Sequence, residues 1–221
     1  MLQRFARVSA HAASSSRSTS SLAASHFDTA RQIQFSALST WLQGEMRSNH
    51  AGETGAVWIY RGARAAMRLR HCPPHMHRFV AEHLATEEQH LALFDELLPQ
   101  SALSKALPLW RGSGFILGFG PALLHPRAFF CTIEAVETFV EEHYMGQIQP
   151  LTQAGEHGDL VPLLQLCCQE EVHHAQEAAG LWRGGVGDRP ALNPVLDSVA
   201  YAWAAVVSGG SRAAVWLAKR I

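Results

Sequence analysis

The stretch Gln-Glu-Glu-Val-His-His-Ala-Gln-Glu, residues 169–177, holds two overlapping copies of one pattern: Glu170 stands three positions before His173, and Glu171 three before His174. On a helix, side chains three apart are rotated by about 60° and separated by roughly 4.5 Å along the axis, so a carboxylate and an imidazole spaced this way reach a common point. That point is either a metal ion or solvent, because an acidic run carrying histidines also describes a wet helix face. A chain with this content of Glu and His holds about one Glu-x-x-His by chance. One copy therefore decides nothing, and the frame has to be chosen from outside the stretch.

The choice comes from an internal repeat. The only other Glu-x-x-His is Glu87 with His90, and a shift of 84 in numbering carries that pair onto Glu171 and His174. The same shift carries Glu53 onto Glu137, so that Glu53 precedes Glu87 by the interval, 34, at which Glu137 precedes Glu171. An interval of that length suits a helical hairpin: about 16 residues climb roughly 24 Å, a short loop reverses the chain, and about 13 bring it back to the same height. Two such hairpins face to face would gather Glu53, Glu87, His90, Glu137, Glu171 and His174 in the middle of a four-helix bundle. The rows through the pairs agree. Met76, Val80, His83, Glu87, His90, Phe94 and Leu97 shift by 84 onto Leu160, Leu164, Cys167, Glu171, His174, Ala178 and Leu181, and both rows are mainly apolar. The row through Glu170 and His173 ends in charge, which suits a partly wet face or a contact that orients a ligand from behind.

Four carboxylates buried together would cost many kcal/mol through desolvation and repulsion, whereas two divalent cations make the cluster neutral. One Glu from each of two helices and Glu-x-x-His from each of the other two is the ferritin-like di-iron arrangement. Mixed oxygen and imidazole donors favour iron or manganese over zinc. A ferritin- or rubrerythrin-like iron oxidase or storage protein shares these six ligands, although the chain lacks a Cys-x-x-Cys rubredoxin module. A membrane-associated helical scaffold without chemistry is a second alternative, which the complete ligand set disfavours.

The rest of the chain reads as helix past residue 40, near 45–69, 75–98, 127–150, 160–182 and 192–219, with breaks at Pro73-Pro74, Pro99, Gly155–Gly158 and Gly184-Gly185. Residues 106–124, ALPLWRGSGFILGFGPALL, are apolar, but Arg111 leaves only the run from Gly112 to Leu124 uncharged, too short to cross a bilayer alone. Its glycines and Pro121 weaken it as a regular helix, and it reads as an interfacial or re-entrant segment, with a buried crossover inside the bundle as the alternative. The last helix, with Tyr201, Trp203, Trp216, Lys219 and Arg220, has the make-up to pack beside it or touch lipid. Residues 1–27 carry Arg, Ser and Ala and no acid, as in a mitochondrial transit peptide. Residues 1–40 are thus expected to be a leader with a disordered lead-in, and 41–221 one catalytic domain. The chain is near neutral, with its basic excess confined to residues 1–40, which excludes nucleic acid as a partner. Cys72, Cys131, Cys167 and Cys168 show no zinc or disulfide spacing and read as reduced thiols. His71, Cys72, His75 and His77 crowd together, but the two prolines make that stretch a turn.

Six stretches in order, NHAGETGAVWIYRGA (49–63), EEQHLALFDELLP (87–99), LPLWRGSGFILGFGPALL (107–124), EAVETFVEEHYMGQI (134–148), QEEVHHAQEAA (169–179) and AVWLAKRI (214–221), resemble the demethoxyubiquinone hydroxylase family of ubiquinone biosynthesis. The resemblance spans residues 41–221. It implies an all-α, ferritin-like four-helix bundle of two pseudo-repeated hairpins plus apolar interfacial helices. It also implies a di-iron monooxygenase that hydroxylates the ring of a polyprenylated demethoxyquinone with O2. The family's ligands fall on the six residues named above, with Glu87 and Glu171 bridging two Fe ions and Glu53 and Glu137 binding one each. His143 and Tyr144 match a His-Tyr pair suggested to handle substrate or electrons. The implied reductant is NAD(P)H, directly or through a carrier. The implied partners are a polyprenyl quinone, a membrane surface, a lipid-binding protein, other ubiquinone-biosynthesis proteins and further copies of the chain. The implied location is the matrix side of the mitochondrial inner membrane, as a peripheral protein.

Overall fold

A computed structural model of the chain describes residues 22–183 and 194–221. Among these residues it is all-helical, with α1 (Ala24–Gln32), α2 (Thr40–Met67), α3 (Pro74–Leu97), α4 (Leu107–Leu124), α5 (Pro126–Ala154), α6 (Leu160–Arg183) and α7 (Pro194–Ala218). The four-helix bundle is α2, α3, α5 and α6, the two hairpins expected from the shift of 84. Residues 1–21 of the expected leader and the break at Gly184-Gly185 lie outside the described residues.

Local chemistry sets the ends. Ser39 Oγ accepts a hydrogen bond from Leu42 N–H at the start of α2, satisfying one of the donors a helix start leaves free. Proline opens α3 and α5, where its fixed φ fits and its missing N–H is not needed. Gly155 ends α5 with φ 66°, and the Glu156 N–H bonds the Leu151 carbonyl, closing the turn into α6.

Two apolar clusters sandwich the middle of the bundle. Tyr60, Phe79, Phe129 and Phe130 centre one; Leu42, Met46, Phe94, Tyr144 and Leu164 centre the other. The row from Met76 to Leu97 on α3 is buried at all seven positions. On α6 the equivalent row is buried up to Ala178, with Leu181 partly exposed.

Two expectations need correction. The lead-in to residue 40 is ordered from Leu22 onward: the Leu22 N–H bonds Gln89 Oε1 at 3.0 Å, Ala30 is fully buried, and Arg31 pairs with Glu96 at 3.0 Å. A short amphipathic helix has a weak sequence signal, and α1 gains its order from α3 and α6. Residues 107–124, in turn, form one continuous helix despite four glycines and Pro121. The glycines at 114 and 118 face α2, where a Cβ would collide with the carbonyls of Gly55 and Ile59, and Gly62 on α2 is equally tight against Phe115. Their role is close approach, and the packing it allows outweighs their low helix propensity. These contacts rise together along both helices, so α4 runs parallel to α2. It carries the chain back up the bundle so that α5 can descend antiparallel to α2.

On their outer faces α4 and α7 expose Ile116, Leu124, Val199, Tyr201 and Trp216. No helix among the described residues is long and apolar enough to cross a membrane. The four cysteines are free and buried.

Candidate metal centre

The six residues selected by the repeat come together as two overlapping sets. Glu53, Glu87, His90 and Glu171 offer ligand atoms all within 4.8 Å of one another, as do Glu87, Glu137, Glu171 and His174. Glu87 and Glu171 belong to both sets, which is where bridging residues have to be. All six are buried. Each first hairpin helix supplies one carboxylate and each second helix supplies a Glu-His pair, so the bundle's pseudo-two-fold organises the cluster.

The close contacts within it have distance but not direction. His90 Nδ1 lies 2.9 Å from Glu171 Oε1, and His174 Nδ1 lies 3.1 Å from Glu87 Oε1. Yet both nitrogens and both oxygens of Glu87 and Glu171 lack a hydrogen-bond partner. They account for six of the seven such buried atoms among the described residues. Buried polar groups are rarely left so, and lone pairs that converge on shared points fit cations placed there. The donor set, four carboxylates and two imidazoles, fits two divalent ions of the iron or manganese kind.

The carboxylates of the cluster differ sharply in their affinity for a proton. Burial and the Glu171 charge push Glu87 up to about 8 and Glu137 well above the usual carboxylate range. Glu171 is held low: burial acts against it, but the His174 and His90 imidazoles outweigh burial. Metal binding must displace such protons.

Tyrosines related by the same shift cross between the hairpins. The Tyr144 hydroxyl donates to Glu53 Oε1 at 2.5 Å, and the Tyr60 hydroxyl donates to Glu137 Oε1 at 3.3 Å. Each outer carboxylate thus has one oxygen pinned by the opposite hairpin and one left for the centre. Burial, then the nearby carboxylate, raises both phenols well above their ordinary value, so both are neutral donors. The His143 Nε2 lies 3.1 Å from Ser48 Oγ, and burial and Lys219 lower its imidazole to about 4.

Sequence reasoning left the second frame of residues 169–177 open, and the structure separates its members. His173 is exposed and only 3.9 Å from Glu177, whereas Glu170 Oε2 sits 2.5 Å from His90 Nε2, behind the cluster. Two further groups had no clear signal. Asn49 and Gln147 form a reciprocal amide pair, 2.9 Å in both directions. His83 stacks on His174 with ring centroids 4.0 Å apart and bonds Glu177 at 3.0 Å. The stretch from His71 to His77 holds no metal-binding group of this kind.

A cavity of about 500 Å³ leads to the cluster, with Glu53, Glu87, Glu137 and Glu171 at its polar end. Its walls are α4, through Leu109, Trp110 and Leu117, and α7, through Trp203, Val206 and Val207, while His143 and Tyr144 line it from α5.

Comparison with known proteins agrees with this architecture. The family model described as ubiquinone biosynthesis protein COQ7 matches residues 40–218. A 3-demethoxyubiquinol 3-hydroxylase of Rhodospirillum rubrum is 32% identical over 181 residues, 80% of this chain and 76% of that protein. The NADPH-dependent 3-demethoxyubiquinone 3-hydroxylase, mitochondrial, of Homo sapiens is 31% identical over the same shares, and that of Dictyostelium discoideum is 27% identical, again over 80% and 76%. A bundle of two repeated hairpins around a buried Glu/His cluster, matched over nearly the whole folded part of the chain, places it in the ubiquinone biosynthesis protein COQ7 family.

Proposed function

We propose that this chain hydroxylates the ring of a polyprenylated demethoxyubiquinone or demethoxyubiquinol in ubiquinone biosynthesis, with Glu53, Glu87, His90, Glu137, Glu171 and His174 holding two iron ions. One observation carries this reading: the unpartnered ligand atoms stand at the polar end of an apolar cavity walled by the two helices with the greasiest outer faces. An iron-storage protein needs no such access.

The bound iron pair would supply O2 activation, with two electrons originating from NAD(P)H. The chain's own residues do the rest. Glu87 and Glu171 present both carboxylate oxygens to the centre, while Tyr60 and Tyr144 hold the outer carboxylates in one orientation. Apolar walls from α4 and α7 admit an isoprenoid tail and keep bulk water from the reacting ring. His143 and Tyr144 stand on the same wall, placed to meet the ring's oxygens.

The outer faces of α4 and α7 fit a protein that rests on a lipid surface and draws its substrate from it. The mitochondrial relatives and the acid-free stretch 1–27 support a mitochondrial location; we place the domain that follows on the matrix side of the inner membrane.

The test is Glu171→Ala expressed in cells lacking the native activity, with their quinones identified by mass. Accumulation of the demethoxy precursor is the expected outcome. Normal ubiquinone would sink both the ligand assignment and the role.

A further inference from the structure

His90 and His174 are related by the shift of 84, so their surroundings can be compared position by position. Both turn Nδ1 toward the carboxylates. Behind His90, the mostly buried Glu170 carboxylate lies 2.5 Å from Nε2. The corresponding position in the other half is 86, and Thr86 there turns its hydroxyl back onto the Glu82 carbonyl at 3.4 Å. Among the described residues His174 has no such carboxylate at its Nε2: the His83 ring lies against its face, and Glu177 is bonded to His83 Nε2.

A carboxylate that accepts the Nε2–H of an imidazole fixes three things at once: the tautomer, leaving Nδ1 bare; the plane of the ring; and a higher electron density on Nδ1. His90 has such a partner and His174 does not. We propose that Glu170 is a positioning residue that makes the position formed by Glu53, Glu87, His90 and Glu171 the tighter of the two metal positions, so that the centre loads in two steps with that position first. The inference rests on the two-metal reading above and adds an inequality that neither the repeat nor the family ligand set contains.

Repulsion between two cations a few ångströms apart separates the steps even in a symmetrical site. The decisive quantity is therefore how each step responds to residues 170 and 86. The metal-stripped full chain in detergent micelles would be titrated anaerobically with Co²⁺, following visible absorption bands and bound metal per chain by native mass spectrometry. Glu170→Leu is expected to weaken the first step about 10- to 100-fold and leave the second within about threefold. Glu170→Gln, whose carbonyl still accepts from Nε2–H, recovers most of the loss. Thr86→Glu, which offers His174 the missing carboxylate, tightens the second step. Equal weakening of both steps by Glu170→Leu, no effect of it, or a single-step loading of the unaltered chain would overturn the proposal. If Glu170→Leu does not fold, Glu170→Ala is titrated in its place, and equal weakening of both steps or no effect overturns the proposal in the same way. A parent chain that binds fewer than two Co²⁺ would instead sink the two-metal reading itself, and the inference with it.

Discussion

Replacing Gly118 by alanine and, separately, Gly112 by alanine tests how α4 is seated. The two glycines lie in one helix and gain the same propensity from alanine, about 1 kcal/mol. Their surroundings differ. A Cβ at Gly112 has nothing within 4 Å, while one at Gly118 collides with the backbone carbonyl of Ile59. Backbone cannot rotate aside as a side chain does, so α4 has to back away from α2 at that turn, and overpacking of this kind costs roughly 1–3 kcal/mol. Net of propensity, Gly118→Ala should be destabilised by up to about 2 kcal/mol, with Gly112→Ala stabilised by up to about 1. For a domain of this size the gap of about 1–3 kcal/mol corresponds to roughly 2–12 °C in Tm. Thermal unfolding followed by circular dichroism, in one detergent and at one metal loading, reads it. A Gly118→Ala protein as stable as Gly112→Ala would refute the claim that close helix approach explains these glycines.

Other outcomes follow from the same contacts. Asn49→Leu or Gln147→Leu alone leaves a buried amide without its partner and should cost about 1–3 kcal/mol; the double replacement should cost less than the sum, as a double-mutant cycle of denaturant melts would show. Stripping the metal with a chelator should lower the Tm, and restoring Fe²⁺ should raise it in proportion to the logarithm of free metal; a Tm indifferent to metal would contradict ligation by the six residues. Burial raises the Cys131 thiol and lifts Cys167 to about 12 and Cys168 to about 11. Below those values the thiol form dominates and the reactive thiolate is scarce, so at pH 8 iodoacetamide should label these three only after denaturant is added, as intact mass would show.

The candidate site of this protein was more legible in its sequence than parts of its fold. Glu53, Glu87, His90, Glu137, Glu171 and His174 obey one shift, and because a duplicated hairpin places equivalent residues at equal heights, arithmetic alone brought them together. The same shift relates Tyr60 to Tyr144, but the crossing of each hydroxyl to the other hairpin's carboxylate depends on how the helices pair, which spacing along one helix does not encode. α4 was misjudged because glycine and proline lower helix propensity, and the compensating contact lies on α2, far away in the chain. The helix Ala24–Gln32 escaped notice for a related reason: its order comes from Gln89 and Glu96 on α3. Glu170 stood in view, one position off the ligand row, but what it touches, His90, belongs to the other half of the repeat.

Duplicating a hairpin creates a problem of connection. The first hairpin ends at the foot of the bundle, and the second, turned over by the pseudo-two-fold, begins at the top. Some segment has to travel the full height on the outside, and α4, at 18 residues or roughly 27 Å, is that segment. It is therefore a third kind of helix, belonging to neither half, and it was free to become what the halves are not: thin enough in side chain on one face to lie against α2, greasy on the other, and open along its edge to the cavity. The cavity that reaches the carboxylates runs beside the seam between the two hairpins.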